Sequence, residues 1–394
     1  MDNMKTINYF FTLLVLGFVL LAMEPQYLIC RQMPDSTRLI PVSILYTANN
    51  NGYLENCECP GNPLGGLDRR VKLMQQLQMN SSTICLLLDG GDFLSSVGFP
   101  EKDDFVLEAY GNMRYDVLAL GDQEFANGYS YVVGNLLKRS LPLVSASIEI
   151  KGVPNTAIKK YVIKDIQGIR FGITSVISDE PFELMPKDKI QDLKIADVRS
   201  CLNNVLKELR QKSDIVILLS HLGYSKDSKC AKESDAPDII IGAHSQTLLQ
   251  EPEHQGSSIL VHSGKNGEHL GQLDILVDKT TKRIVKYSGQ PIPILKDMEI
   301  DTAMKSLINR YKTFASTGYK DHTLVAGMND SPDKTGEYIV KKGDTLWRIA
   351  IKIMGDPFQW KQLFEMNKDL IKNAQLIYPD QKIRIRKNSG QNNI

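Results

Sequence analysis

Leu86–Ser95 reads LLLDGGDFLS, an apolar run that ends in two aspartates separated by two glycines. A continuous apolar stretch such as Ile84–Asp89 fits a strand covered on both faces. Polar residues at its carboxyl end fit the edge where open α/β sheets hold their ligands. The same grammar recurs along the chain. Val42–Thr47 runs into Thr47–Gly52 (TANNNG), Val117–Leu120 into Gly121-Asp122-Gln123-Glu124-Phe125, Ile215–Leu219 into Ser220-His221, and Ile239–Ile241 into Gly242-Ala243-His244-Ser245-Gln246. Leu143–Ala146 and Ile259–His262 are further short β-rich runs. Between them Leu67, Val71, Met74 and Leu77, and later Val198, Leu202, Val205 and Leu209, keep helical spacing. Tyr161–Lys164 with Ile169–Ile173, and Leu273–Val277 with Arg283–Tyr287, read as hairpins. These residues predict an α/β domain over 41–297, a mixed sheet sandwiched by helices. Five strand-end loops rich in Asp, His, Asn and Gln predict oxygen and imidazole donors converging on a metal.

The 394 residues suggest more than one domain. Lysine plus arginine number 47 against 46 acidic residues, so the net charge of +1 carries no footprint for nucleic acid. Six cysteines in such a length are too few for a disulfide scaffold. With 42% hydrophobic residues the chain can bury a core. Lys5 precedes an apolar run from Tyr9 to Met23, followed by Glu24-Pro25-Gln26. That pattern over 1–30 predicts export through a signal peptide, or an uncleaved anchor as the only membrane attachment.

In order along the chain, ILYTANNNGYLE, PLGGLDRR, LLLDGGDFLS, LALGDQEFANG, ILLSHLG, DIIIGAHSQT and GKNGEHLGQLDI resemble the metallophosphoesterase (calcineurin-like) domain of the 5′-nucleotidase family, over roughly Ile44 to Pro293. The resemblance implies a β-sandwich flanked by helices and a two-metal hydrolase. It places the bridging aspartate on Asp92 and the second-metal ligands on Asp122, His221 and His244. The first-metal positions fall on Asn49, Asn51 and Gln246, all amides here, and the histidine that assists the leaving group falls on Gln123. Two divalent ions about 4 Å apart repel by on the order of 15 kcal/mol at an effective dielectric of 20, and amide oxygens are weak donors to Zn- or Mn-type ions. Gln123 cannot act as a general acid, a contribution typically worth ~10²–10⁴-fold. The expectation is one divalent transition metal (Mn, Zn or Fe) held by Asp92, Asp122, His221 and His244. The family's nucleotide specificity resides in a further C-terminal domain, and no segment of that size follows Pro293 in this sequence.

Cys57-Glu58-Cys59 lies on the loop after Asn51. The two thiols read either as an ordinary disulfide or as replacement ligands or a redox pair. Arg69 and Arg70 read as solvated surface. Met304, Leu307, Ile308 and Tyr311 resume helical spacing, and the polar stretch that follows completes a helix and linker over 298–335.

Glu337–Arg386 changes character. Tyr338–Val340 reads as a strand and Gly343-Asp344 as a turn, with Asp344 or Thr345 as a helix cap. Leu346, Ile349, Ala350 and Ile353 form an apolar stripe, a second helix carries Trp360, Leu363 and Phe364, and Lys382–Ile385 closes a βααβ unit over 336–386. The segment resembles a LysM domain. That implies binding of peptidoglycan or another N-acetylglucosamine polymer in a groove between Gly343, Asp344, Thr345 and Leu346 on one side and Ile377, Tyr378 and Pro379 on the other. The functional expectation is an exported protein of the periplasm or cell envelope, a hydrolase of low or altered activity anchored by LysM. The alternative is a catalytically inactive binding or scaffold protein on the same fold.

Overall fold

The structure is a computed structural model that describes residues 38–56, 63–80, 83–183, 185–317, 337–341, 344, 346, 349–350, 353, 360–371 and 377–385. The N-terminal apolar run, Cys57, Cys59, most of the polar linker, Gly343 and Thr345 lie outside these residues. No helix among the described residues is long and apolar enough to cross a membrane.

Strands β1 (Leu39–Thr47), β2 (Ile84–Asp89), β3 (Val117–Ala119) and β4 (Leu143–Val144) run parallel, and the antiparallel hairpin β13 (His269–Asp278) and β14 (Ile284–Pro293) lies on the other side of β1. The resulting six-stranded sheet has the order β14-β13-β1-β2-β3-β4. A second six-stranded sheet has the order β11-β12-β10-β9-β7-β6. It is built from β6 (Tyr161–Ile166), β7 (Ile169–Ile177), β9 (Ile215–His221), β10 (Ile239–Gly242), β11 (Glu253–Gln255) and β12 (Ser258–His262). A separate antiparallel pair joins β5 (Ile148–Ile150) to β8 (Leu193–Ile195).

The two large sheets face each other. Val42, Ile44, Leu86 and Leu88 of the first pack with Ile215, Ile217, Leu219, Ile239 and Ile241 of the second in one apolar cluster. Alternate residues point outward. Leu45 and Leu87 meet helices α1 (Leu67–Asn80), α2 (Pro100–Met113) and the helix Thr302–Thr317. Val216, Leu218, Ile240 and Leu260 meet α3 (Val198–Lys212) and the short α4 (Tyr224–Cys230). The sandwich implied by the family resemblance is therefore present. The single mixed sheet inferred from periodicity is replaced by two, because an apolar run reports cover on both faces without saying whether the cover is helix or strand. Strands β5, β8 and β11 (Ile-Glu-Ile, Leu-Lys-Ile and Glu-His-Gln) carry no continuous apolar run that marks them in the sequence.

In the C-terminal unit β15 (Glu337–Ile339) pairs antiparallel with β16 (Lys382–Arg384). Tyr338, Val340, Leu346, Ile349, Ala350, Leu363, Ile371, Ile383 and Ile385 form its core.

Candidate metal centre

The loops at the carboxyl ends of β1, β2, β3, β9 and β10 converge. Asn49, Asn51, Asp92, His244 and Gln246 all have left-handed backbone, with φ of 52°, 53°, 57°, 64° and 55°. Each such non-glycine residue costs about 1 kcal/mol, and strain of this kind collects at functional sites. Surrounding bonds hold the loops. Asn49 N donates to Gly91 O and Asn51 N to Asp92 O, tying the β1 loop to the β2 loop.

Glu124 organises the turn that carries Asp92. Its buried carboxylate accepts N–H groups from Asp92, Phe93, Leu94 and Gly121 at 2.7–3.0 Å. Burial, then the charge of Asp92, push the Glu124 carboxyl up to about 8 against the pull of these donors. The sequence offered a signal for this residue in LALGDQEFANG, but nothing in its spacing assigned Glu124 the task.

Asp92, Asp122, His221 and His244 each bring one ligand atom into a group whose members lie within 4.8 Å of one another. His221 Nε2 is 3.2 Å from Asp92 Oδ2 and 3.5 Å from Asp122 Oδ1, and His244 Nδ1 is 3.6 Å from the same Asp122 oxygen. His221 is fully buried and its Nδ1 meets Gly90 O at 2.9 Å, so Nδ1–H donates outward and Nε2 faces the carboxylates. Burial by itself lowers the His221 pKa, but Asp92 and Asp122 outweigh it and raise it well above its ordinary value. Burial likewise favours a neutral Asp122, yet contact with His221 and His244 holds its carboxyl well below the usual range. The field that favours a proton here favours a cation. Asp122 Oδ1 and His221 Nε2 are buried with no hydrogen-bond partner, and two carboxylates with two imidazoles suit a transition metal. The quartet fits a metal ion.

The three amides behave otherwise. Asn49 Nδ2 donates to Gly264 O at 2.8 Å while its Oδ1 accepts His244 N at 2.8 Å. Asn51 Nδ2 donates to Asn266 Oδ1, and Asn51 Oδ1 accepts Gln123 Nε2, both at 2.8 Å. Gln123 Nε2 also donates to Asp92 Oδ2 at 3.0 Å, and Gln123 N to Asp92 Oδ1 at 3.1 Å. Asn49 and Asn51 thus commit their oxygens to protein donors, and Gln246 is exposed. Asn266, which closes this network, sits in GKNGEH, where no spacing marks it for a role.

Arg70 corrects an expectation. It is fully buried rather than solvated, donating to Asn50 Oδ1 at 3.1 Å and Tyr110 OH at 3.4 Å. The helical turn that presents Arg69 to its neighbour Asp68 and to Lys296 O points Arg70 inward, beneath the β1 loop. Arg69 is itself only 15% exposed.

In the C-terminal unit, Asp344 Oδ2 accepts Tyr338 OH at 2.7 Å and Lys341 N at 2.8 Å, which braces the loop after β15. Leu346 is buried and packs in the core, Ile377 is half-buried, Pro379 is exposed, and Tyr378 is 58% exposed. Of the described residues proposed to line the glycan groove, Tyr378 offers the most accessible surface.

Comparison with known proteins agrees with this architecture. A family model described as LysM domain matches residues 338–386. Snake venom 5′-nucleotidase of Crotalus adamanteus is 26% identical over 321 residues, covering 72% of this chain and 53% of that protein. The chain spans about half the length of the curated relatives it matches first. A 5′-nucleotidase precursor from Thermus thermophilus superposes with a TM-score of 0.59 at 22% identity, over 70% of this chain and 59% of that one. The calcineurin-like phosphoesterase YfkN from Bacillus subtilis superposes with a TM-score of 0.58 at 18% identity, over 70% of this chain and 97% of that one. The chain therefore joins a metallophosphoesterase domain related to the 5′-nucleotidases to a C-terminal LysM domain.

Proposed function

We propose that this is an exported, cell-envelope protein that holds one divalent Mn, Zn or Fe ion on Asp92, Asp122, His221 and His244, hydrolyses a phosphoester slowly or with altered specificity, and docks on peptidoglycan through LysM. The observation that carries the reading is the contrast between two donor sets. Within the quartet Asp122 Oδ1 and His221 Nε2 are buried and unpartnered, whereas Asn49 and Asn51 satisfy both ends of their amides against protein groups. A divalent ion bound there supplies Lewis acidity toward a phosphoryl oxygen and lowers the pKa of a coordinated water. The chain's own residues orient the site. Gly90 O fixes the His221 tautomer, and Gln123 holds both oxygens of Asp92 where the family keeps an imidazole. Gln123 has no proton to deliver to a leaving group, which favours slow turnover and supports the second reading, a binding protein without catalysis.

The apolar run Tyr9–Met23 and the LysM match support the envelope location. Metal analysis after mild dialysis tests the centre. The expected result is close to one equivalent of transition metal per chain, reduced at least tenfold by His221→Ala. Less than about a tenth of an equivalent in the unaltered protein rejects the metal reading. A generic phosphoester assay, run with added Mn, Zn and Co, then separates the hydrolase from the scaffold.

A further inference from the structure

On the far side of the second sheet from His221 lies a polar group that neither the metal quartet nor the amide network uses. Ser220, Gly242 and His262 are hydrogen-bond neighbours in register at the carboxyl ends of β9, β10 and β12. They continue, two residues on, the apolar row Leu218, Ile240 and Leu260 that faces α3 and α4. Asp227 of α4 sits over them. His262 Nε2 is 3.1 Å from Asp227 Oδ2, and Ser220 Oγ donates to Asp227 Oδ1 at 2.5 Å. Ser220, Asp227 and His262 are all fully buried. Gly242 makes room for them, since a Cβ there would lie 2.0 Å from His262 Nε2 and 2.4 Å from Asp227 Oδ2.

This arrangement is expensive. Asp227 Oδ2 and both ring nitrogens of His262 lack an aligned hydrogen-bond partner, and apolar residues like those one row back would fill the space at lower cost. What the group does hold in place is specific. Ser220 immediately precedes His221, and Gly242 stands two residues before His244. Tyr224, at the start of α4, donates its N–H to Ser245 Oγ at 3.0 Å and sets its ring edge-on to His262 at 5.6 Å. One buried carboxylate thereby links β9, β12 and α4 across the end of β10, whose Gly242 leaves the room for it, beside the two strand ends that carry the histidine ligands.

We propose that Asp227 and His262, with Ser220, are positioning residues for the metal centre. They fix the backbone at 220–222 and 242–244 so that His221 Nε2 and His244 Nδ1 reach Asp122 together. The proposal rests on the metal reading only for its consequence, because the placement of the two imidazoles is observable without an ion.

The test uses the full chain as Asp227→Asn, His262→Leu and His262→Gln. Imidazole nitrogen NMR is recorded on metal-free protein, and Co(II) titration is followed by its d–d absorption. Asp227→Asn and His262→Leu are expected to shift the His221 and His244 resonances, weaken Co(II) binding by about 10–100-fold and alter the d–d band. His262→Gln, which still reaches Asp227, is expected to recover most of the affinity. If the His221 and His244 resonances stay in place in both disruptive variants, the proposal is overturned, whatever happens to thermal stability. If the resonances move while the unaltered protein binds no Co(II), the positioning role stands and the metal reading falls.

Discussion

Gly121 has no room for a side chain: a Cβ there would come within 2.2 Å of Asp92 Oδ1 and 2.5 Å of His221 Cε1. Gly121→Ala should displace one or both ligands and weaken metal binding at least about tenfold, read by competition with a chelating dye. Unchanged affinity would show that the two ligands tolerate a shift their geometry does not suggest. Arg70 sits at the same scale. Its guanidinium is buried beside Asn50 and Tyr110; burial opposes its charge, and Tyr115, Tyr110 and Asp89 more than offset that, so its pKa is raised. Stranding a buried polar partner typically costs about 1–3 kcal/mol per group, so Arg70→Ala, which strands Asn50 Oδ1 and the Tyr110 hydroxyl, should lose a few kcal/mol, on the order of that cost, in urea unfolding. Arg70→Lys should restore little, because an ammonium lacks the planar fork that reaches both Asn50 and Tyr110. Two adjacent arginines look alike in a sequence, and only the phase of α1 against the sheet decides that one is packed.

At the scale of elements, strands buried on both faces were the most legible feature. Ile84–Asp89 appears in the structure with the bounds its apolar run implied, and from Leu86 on it is buried on both faces. The ends of β1 and β9 extend past their predicted limits into Leu39 and His221, where neighbouring strands supply ladder partners that composition does not announce. The C-terminal unit holds together by a comparable unannounced device. Asn367 is buried, donates Nδ2 to Leu363 O at 2.7 Å and to Arg384 O at 2.9 Å, and accepts Arg384 N at 2.7 Å. It pins β16 to the turn that follows the helix Trp360–Glu365. Asn367→Ala leaves these groups buried and unpaired, at about 1–3 kcal/mol each in the worst case. Hydrogen exchange in the full chain should show Lys382–Arg384 losing protection by at least tenfold, while β1 and β9 keep theirs.

For the whole molecule, the metallophosphoesterase domain and the LysM domain have separate cores, so binding and chemistry should separate by deletion. Removing residues 337–394 is expected to abolish sedimentation with insoluble peptidoglycan and to leave the metal content unchanged. Retained sedimentation would assign wall binding to the larger domain. Within the LysM domain Tyr378→Ala should weaken the sedimentation by several-fold, because an exposed aromatic ring contributes packing area to a sugar without supporting the core.

The family resemblance carried by the ordered strand-end motifs pointed to the fold and put the expected ligand positions on Asp92, Asp122, His221 and His244, whose ligand atoms the structure gathers within 4.8 Å of one another. Amide chemistry in the sequence likewise set Asn49, Asn51 and Gln123 apart from ordinary metal donors. Tertiary structure alone decided what those amides do instead, that Arg70 and Glu124 support the loops from beneath, and that Asp227 and His262 meet behind the site. Each of those facts joins residues distant in the chain, and hydrogen-bond partnership across such distances depends on how sheets and helices pack, which no local periodicity encodes.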